Sequence, residues 1–278
     1  MTAPPFTMRF WGVRGTVPCP EADRLRYGGN TSCIEVRCGP ARLIFDAGTG
    51  LRALGNQLLA TGDKFESHIF FTHTHLDHIA GLPFFRPAYD GANHFEFWAG
   101  HLRQHGRSLQ HVLEQLMQPP LFPVPLDILH ACVSFHDFLP GEVLRPFADV
   151  VVHTLALNHP GGATGYRVDF AGRSICIMTD LEHRAGEIDQ GIVDFIRGAD
   201  IVVYDSTYTE EEYARFVGWG HSTWQQGVRL CDAAAAGRLV AFHHDPEHDD
   251  TFMDEIARQL ARARPGSLVA AEGLTLRP

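Results

Sequence analysis

The sequence predicts an α/β fold in which two β-sheets pack face to face and helices cover both outer sides, an αββα sandwich. Short apolar runs of strand type recur in both halves of the chain. Helices of 3.6-residue period interrupt each half, and several apolar runs end abruptly at histidine or aspartate. That pattern suits a pair of sheets between helices better than one doubly wound sheet. With 278 residues and no repeat, linker or low-complexity tract, residues 1–278 read as one domain able to bury a large core.

The elements follow in order. Residues 8–13, 32–38 and 41–47 are strand-like, and 50–61 places leucines at helical spacing after a glycine-rich turn. Residues 67–71 form a short apolar strand that runs into histidines. Residues 94–99 alternate as a strand does, and 108–117 has helical period before the stop at Pro119–Pro120. The second half supplies strands at 151–157, 164–170, 173–178 and 199–205. A helix is expected over 222–236, capped by Ser222 and ended by Gly237; a strand at 238–242 and a helix at 250–264 complete the series.

Composition narrows the function. A formal charge of −10 argues against a surface that grips long nucleic acid, while leaving room for a small phosphorylated substrate. No stretch has the apolar length to span a bilayer, and the opening MTAPPFTMRFWGVRG lacks the cationic start and apolar run of a signal peptide. Six cysteines without a CxxC pair read as reduced, mostly buried and cytoplasmic, and a homodimer is compatible with the sequence.

The 17 histidines matter because some gather with aspartates at strand ends. In FFTHTHLDHIAGLPFF, His73 and His75 are two apart and share a face of an extended chain, whereas Asp77 and His78 fall beyond a turn. Imidazole and carboxylate are the ligands that suit zinc and its neighbours. His159 follows an apolar strand and precedes a glycine turn. Asp180 ends the run SICIMTD, although a helix N-cap would also place an aspartate there. His243 ends RLVAF, with His244 next to it.

The H-x-H-x-D-H pattern at 73–78 resembles the signature of the metallo-β-lactamase superfamily, and the resemblance extends over nearly the whole chain. It implies two divalent metal ions, zinc first with manganese or iron as alternatives, sharing Asp180 and a bridging hydroxide. His73, His75 and His159 would hold one ion, and Asp77, His78 and His243 the other, with Asp77 also counted as catalytic. VVYDSTYTEEEY and GHSTWQQG are similar to paired motifs of the ribonuclease Z-like phosphodiesterases, in which an acidic residue and a histidine serve the leaving group. Asp205 and His221 match them, Asp205 standing where that family has glutamate. The segments 11–36 and 43–50 resemble bacterial relatives described as cyclic-nucleotide phosphodiesterase-like.

The expected activity is therefore hydrolysis of a small cyclic phosphodiester or cyclic nucleotide. A lactonase or β-lactamase-like amidase, an iron persulfide dioxygenase and a non-catalytic metal-binding domain are the competing readings. Asn30, Thr31 and Ser32 are either donors near the metals or satisfied turn residues, and Asp46 is expected to hold a loop. His94, His101, His105 and His111 read as surface or capping groups, and His183 has no counterpart in the resemblance. Phe84, Phe85, Phe122 and Trp219 are aromatic candidates for stacking on a base, with packing as the default.

Overall fold

A computed structural model describes residues 4–62 and 64–278. Met1–Ala3 of the opening segment, the Cys132 side chain and residue 63 lie outside the described residues. Two mixed sheets of seven strands face each other. The first takes β1 (Phe6–Gly12), β2 (Cys33–Cys38), β3 (Ala41–Phe45), β4 (Glu66–Phe71), β5 (His94–Ala99) and β6 (Cys132–Asp137) in that spatial order. The second takes β7 (Val143–Phe147), β8 (Val150–Leu157), β9 (Ala163–Phe170), β10 (Arg173–Met178), β11 (Ile201–Asp205), β12 (Arg238–Phe242) and β13 (Leu268–Val269). The last strand, β14 (Thr275–Leu276), returns to pair with β1.

Both sheets share one plan. An antiparallel meander (β1 to β3, β7 to β10) gives way to parallel strands joined by crossovers. The helices are α1 (Gly50–Thr61), α2 (Leu76–Ile79), α3 (Leu109–Leu116), α4 (Gln190–Phe195), α5 (Glu210–Tyr213), α6 (Trp224–Ala233) and α7 (Asp250–Ala263). Strand periodicity separates the layers: in β4, Phe70 faces the inter-sheet core while Ile69 and Phe71 face the helices. Phe10, Phe45, Tyr166, Val203 and Phe242 fill the space between the sheets. Outside the first sheet lie Leu51, Leu54, Leu109 and Leu113, and outside the second lie Leu230, Met253 and Leu260.

Several local expectations need correction. The cap of α6 is Thr223, whose side chain accepts from the Gln226 N–H; Ser222 turns inward instead and its hydroxyl meets Tyr204 Oη at 2.9 Å. That helix stops at Ala233, because Ala235 adopts a left-handed φ of 48° before Gly237 is reached. The strands β6 and β7 escape recognition because half-exposed residues dilute the apolar signal in the first and Pro146 sits in the second. Proline is tolerated there because β7 is an edge strand paired only with β8. No helix among the described residues is long and apolar enough to cross a membrane.

Candidate metal centre

The carboxyl ends of β4, β8, β10, β11 and β12 open onto one end of the sandwich. His73 and His75 leave β4, His159 follows β8, Asp180 follows β10, Asp205 closes β11 and His243 follows β12. Asp77 and His78 belong to α2, a single turn with His75 as its N-cap; this helix went unrecognised because four residues carry no period. Asp46, Asp180 and His243 each adopt a left-handed backbone at the end of a strand, with φ of 63°, 56° and 64°. Non-glycine residues held there cost about 1–3 kcal/mol each, and such strain gathers at functional sites.

Ligand-type atoms of His73, His75 and His159 lie within 4.8 Å of one another, as do those of Asp77, His78, Asp180 and His243. Asp180 joins the two groups. Its Oδ1 is 3.3 Å from both His78 Nε2 and His243 Nε2, while Oδ2 is 3.7 Å from His73 Nε2 and 3.8 Å from His159 Nε2. Asp77 Oδ2 lies 3.2 Å from His78 Nε2 and accepts from the Thr16 N–H at 2.8 Å. His244 is elsewhere, with Nε2 2.9 Å from the Ala270 carbonyl. Asp180 caps no helix: a loop follows it.

The rings are aimed by their outer nitrogens. His78 Nδ1 meets Asp46 Oδ2 at 2.8 Å, His159 Nδ1 meets the Gly220 carbonyl at 2.8 Å, and His243 Nδ1 meets Thr207 Oγ1 at 3.0 Å. With the ring proton on Nδ1, each imidazole turns an Nε2 lone pair inward, as a metal ligand requires. His73 Nε2 is buried with no hydrogen-bond partner. Burial would lower the pKa of His78, yet Asp180, Asp77 and Asp46 hold it well above the usual imidazole range: three carboxylates call for positive charge at Nε2, which a divalent ion would supply in place of a proton. Burial likewise opposes ionisation of Asp77 and Asp180, but the facing histidines keep both well below the usual carboxylate range. Inward lone pairs, ionised buried carboxylates and an orphaned nitrogen fit a divalent metal ion.

Asp205 reaches His221 despite its short side chain, with Oδ2 2.9 Å from Nδ1. Its other oxygen accepts from Thr207 Oγ1 at 2.9 Å, so one carboxylate steadies His221 directly and His243 through Thr207. The His221 ring lies 4.9 Å from that of His243 and 5.4 Å from that of His159. Burial opposes charging of His221, but Asp205 outweighs it and pushes its pKa up to about 9.

Asp46 is the residue whose role exceeds the expectation. Besides holding its loop through Ser32 Oγ and the Thr72 N–H, it grips His78. The FDAGTG turn gave no sign of this, since the partners are distant in sequence. Thr31 is satisfied by Thr49, Asn30 by Glu272 and Ser32 by Asp46, which makes them turn residues. His101 is a correction: it is buried and meets Thr74 Oγ1 at 3.1 Å, because the chain after β5 folds back over the His73–His75 segment. His183 Nδ1 meets Ser222 Oγ at 2.8 Å. Phe85 is core, whereas Phe84 and Trp219 are exposed.

A cavity of about 1120 Å³ is lined by Arg37, Arg42, Lys64 and Phe147 and includes none of the clustered histidines. His73 and His75 open instead onto a pocket of about 520 Å³. The strand-end histidines and aspartates, the bridging placement of Asp180 and the αββα frame define a metal-dependent hydrolase.

The chain belongs to the family described as the beta-lactamase superfamily domain, which matches residues 41–244. It is 22% identical over 315 residues to the ribonuclease Z of Haloarcula marismortui, covering 96% of this chain and 95% of that one. The metallo-beta-lactamase fold protein YhfI from Bacillus subtilis superposes with a TM-score of 0.74 at 16% identity, covering 98% of this chain and 99% of that one. A diphosphatase from the PhnP family superposes with a TM-score of 0.71 at 19% identity, covering 99% and 98%.

Proposed function

We propose that this hydrolase cleaves phosphodiesters, with a small cyclic phosphodiester or cyclic nucleotide as its substrate. The observation that carries the reading is the His221–Asp205 pair beside the clustered ligands, 2.9 Å between Nδ1 and Oδ2. His73, His75 and His159 would hold one divalent ion, Asp77, His78 and His243 a second, and Asp180 would serve both; zinc is the first candidate. Such ions polarise phosphoryl oxygens and make water acidic enough to act as a nucleophile near neutral pH.

The rest falls to the chain. Asp205 accepts from His221 Nδ1–H and fixes the ring, so His221 Nε2 carries the proton destined for the leaving oxygen. The buried carboxylate favours that charged state before the transfer. The lactonase and β-lactamase-like reading does not call for a Gly-His-Ser-Thr motif, which here carries His221. The ribonuclease Z and diphosphatase relatives support phosphoryl chemistry, and the ribonuclease Z relative makes RNA the competing substrate. The net charge of −10 favours the small one. Five described cysteines, buried and unpaired, support a cytoplasmic setting.

The test compares His221→Ala with wild type, metal content checked, on an aryl and an alkyl phosphodiester. Nitrophenolate leaves without a proton, whereas an alkoxide needs one. The variant should lose roughly a hundred- to ten-thousand-fold on the alkyl ester and far less on the aryl ester. Equal losses refute the acid role. Turnover of lactones or β-lactams, with no cleavage of cyclic nucleotides, aryl diesters or short RNA, refutes phosphodiester hydrolysis.

A further inference from the structure

The pocket of about 520 Å³ that begins at His73 and His75 runs on past His101 and His105 to Arg107 and Gln115. Three features set it apart. Among the described residues no aspartate or glutamate lines it, in a chain whose formal charge is −10. Arg107 is exposed on its wall, and no carboxylate among the described residues pairs with it, whereas neighbouring Arg103 and His111 face Glu142 and Glu114. The third feature is inside: His101 is 3% exposed, yet its Nδ1 is buried without a partner. When the Thr74 hydroxyl donates to His101 Nε2, 3.1 Å away, the ring proton sits on that unpartnered Nδ1 and makes it a donor.

We propose that this pocket takes a second anionic group of the substrate, a phosphate or carboxylate separate from the scissile diester, gripped by Arg107 at the wall that His101 helps to form. The inference rests on the phosphodiesterase reading and narrows its substrate class. A guanidinium presents paired donors that match either anion, and an unpaired one in a field of acidic surface concentrates positive potential where the ligand enters. Gly161 and Gly162, with φ of 83° and 82°, carry the chain past this wall without side chains. The pocket therefore selects by charge at a distance from the bond that breaks.

The test uses thymidine 5′-(p-nitrophenyl phosphate) and its 3′-phosphorylated counterpart, which share diester, leaving group and nucleoside. Wild-type, metal-loaded protein should prefer the 3′-phosphorylated compound by about tenfold or more in kcat/KM, mostly through KM. Arg107→Ala should bring that ratio close to one, Arg107→Lys should keep part of it, and Arg107→Glu should invert it. A 3′-succinyl ester of the same nucleotide separates carboxylate from phosphate. No wild-type preference for either anion, or a preference that survives Arg107→Ala, overturns the proposal while leaving phosphodiester hydrolysis intact. Failure to cleave these esters, cyclic nucleotides and short RNA alike removes the underlying reading and this inference with it.

Discussion

Asp46→Asn separates aiming a ligand from being one. The Asp46 carboxylate accepts from Ser32 Oγ at 2.9 Å, the Thr72 N–H at 2.8 Å and Thr72 Oγ1 at 2.9 Å, and meets His78 Nδ1 at 2.8 Å. With His78 protonated on Nδ1, every one of these neighbours is a donor. Asparagine keeps the shape but sets an NH2 against donors, which leaves at least one of them unsatisfied in a buried site. A lost bond to a charged group costs about 1.5–3 kcal/mol of stability. The His78 ring is then free to rotate or to shift its proton to Nε2, which removes the lone pair aimed at Asp77, Asp180 and His243. Loss of such an orienting carboxylate weakens metal affinity about ten- to a hundredfold, or about 1.4–2.7 kcal/mol. Competition against a chromogenic chelator measures that affinity, with circular dichroism as the check on folding. Ser32→Ala serves as the contrast, because it removes one donor and leaves the Asp46–His78 contact. Wild-type metal affinity in folded Asp46→Asn would refute the reasoning.

His243→Ala should lose metal, whereas His244→Ala should keep it and lose stability, since the His244 ring bonds the Ala270 carbonyl and lies outside the ligand groups; metal analysis of both purified variants decides. A Cβ added at Gly15 would lie 2.3 Å from His243 Cε1, so Gly15→Ala should displace that ring and lower metal occupancy while the protein stays folded. Away from the cluster, burial would raise the pKa of Glu212, but His248 and Thr209 bond it and hold it near about 2, below the ordinary 4.5. Its stabilising contribution is present above 4.5 and disappears as pH falls toward 2, so Glu212→Gln should flatten this acid limb in urea midpoints. An unchanged limb would show that other carboxylates dominate it.

Much of this molecule is legible in its sequence because strands and ligands announce themselves locally. The apolar runs ending at His73, His159, Asp180 and His243 carry both the strand and the residue placed at its end. In β4 and β12 both faces are buried, and the alternation that sends Phe70, Val240 and Phe242 toward the inter-sheet core and their neighbours toward the helices follows from the backbone alone. The short H-x-H-x-D-H spacing made the first cluster visible for the same reason. What pairs across the chain is different. Asp46 and His78 are 32 residues apart, Thr207 and His243 are 36 apart, and the burial of His101 depends on where the chain after β5 folds back. Hydrogen-bond partners, ring tautomers and the openness of a pocket wall depend on distances between segments that only packing of the two sheets brings together. Local pattern therefore identifies the residues able to bind a metal, and tertiary structure decides which way each of them points.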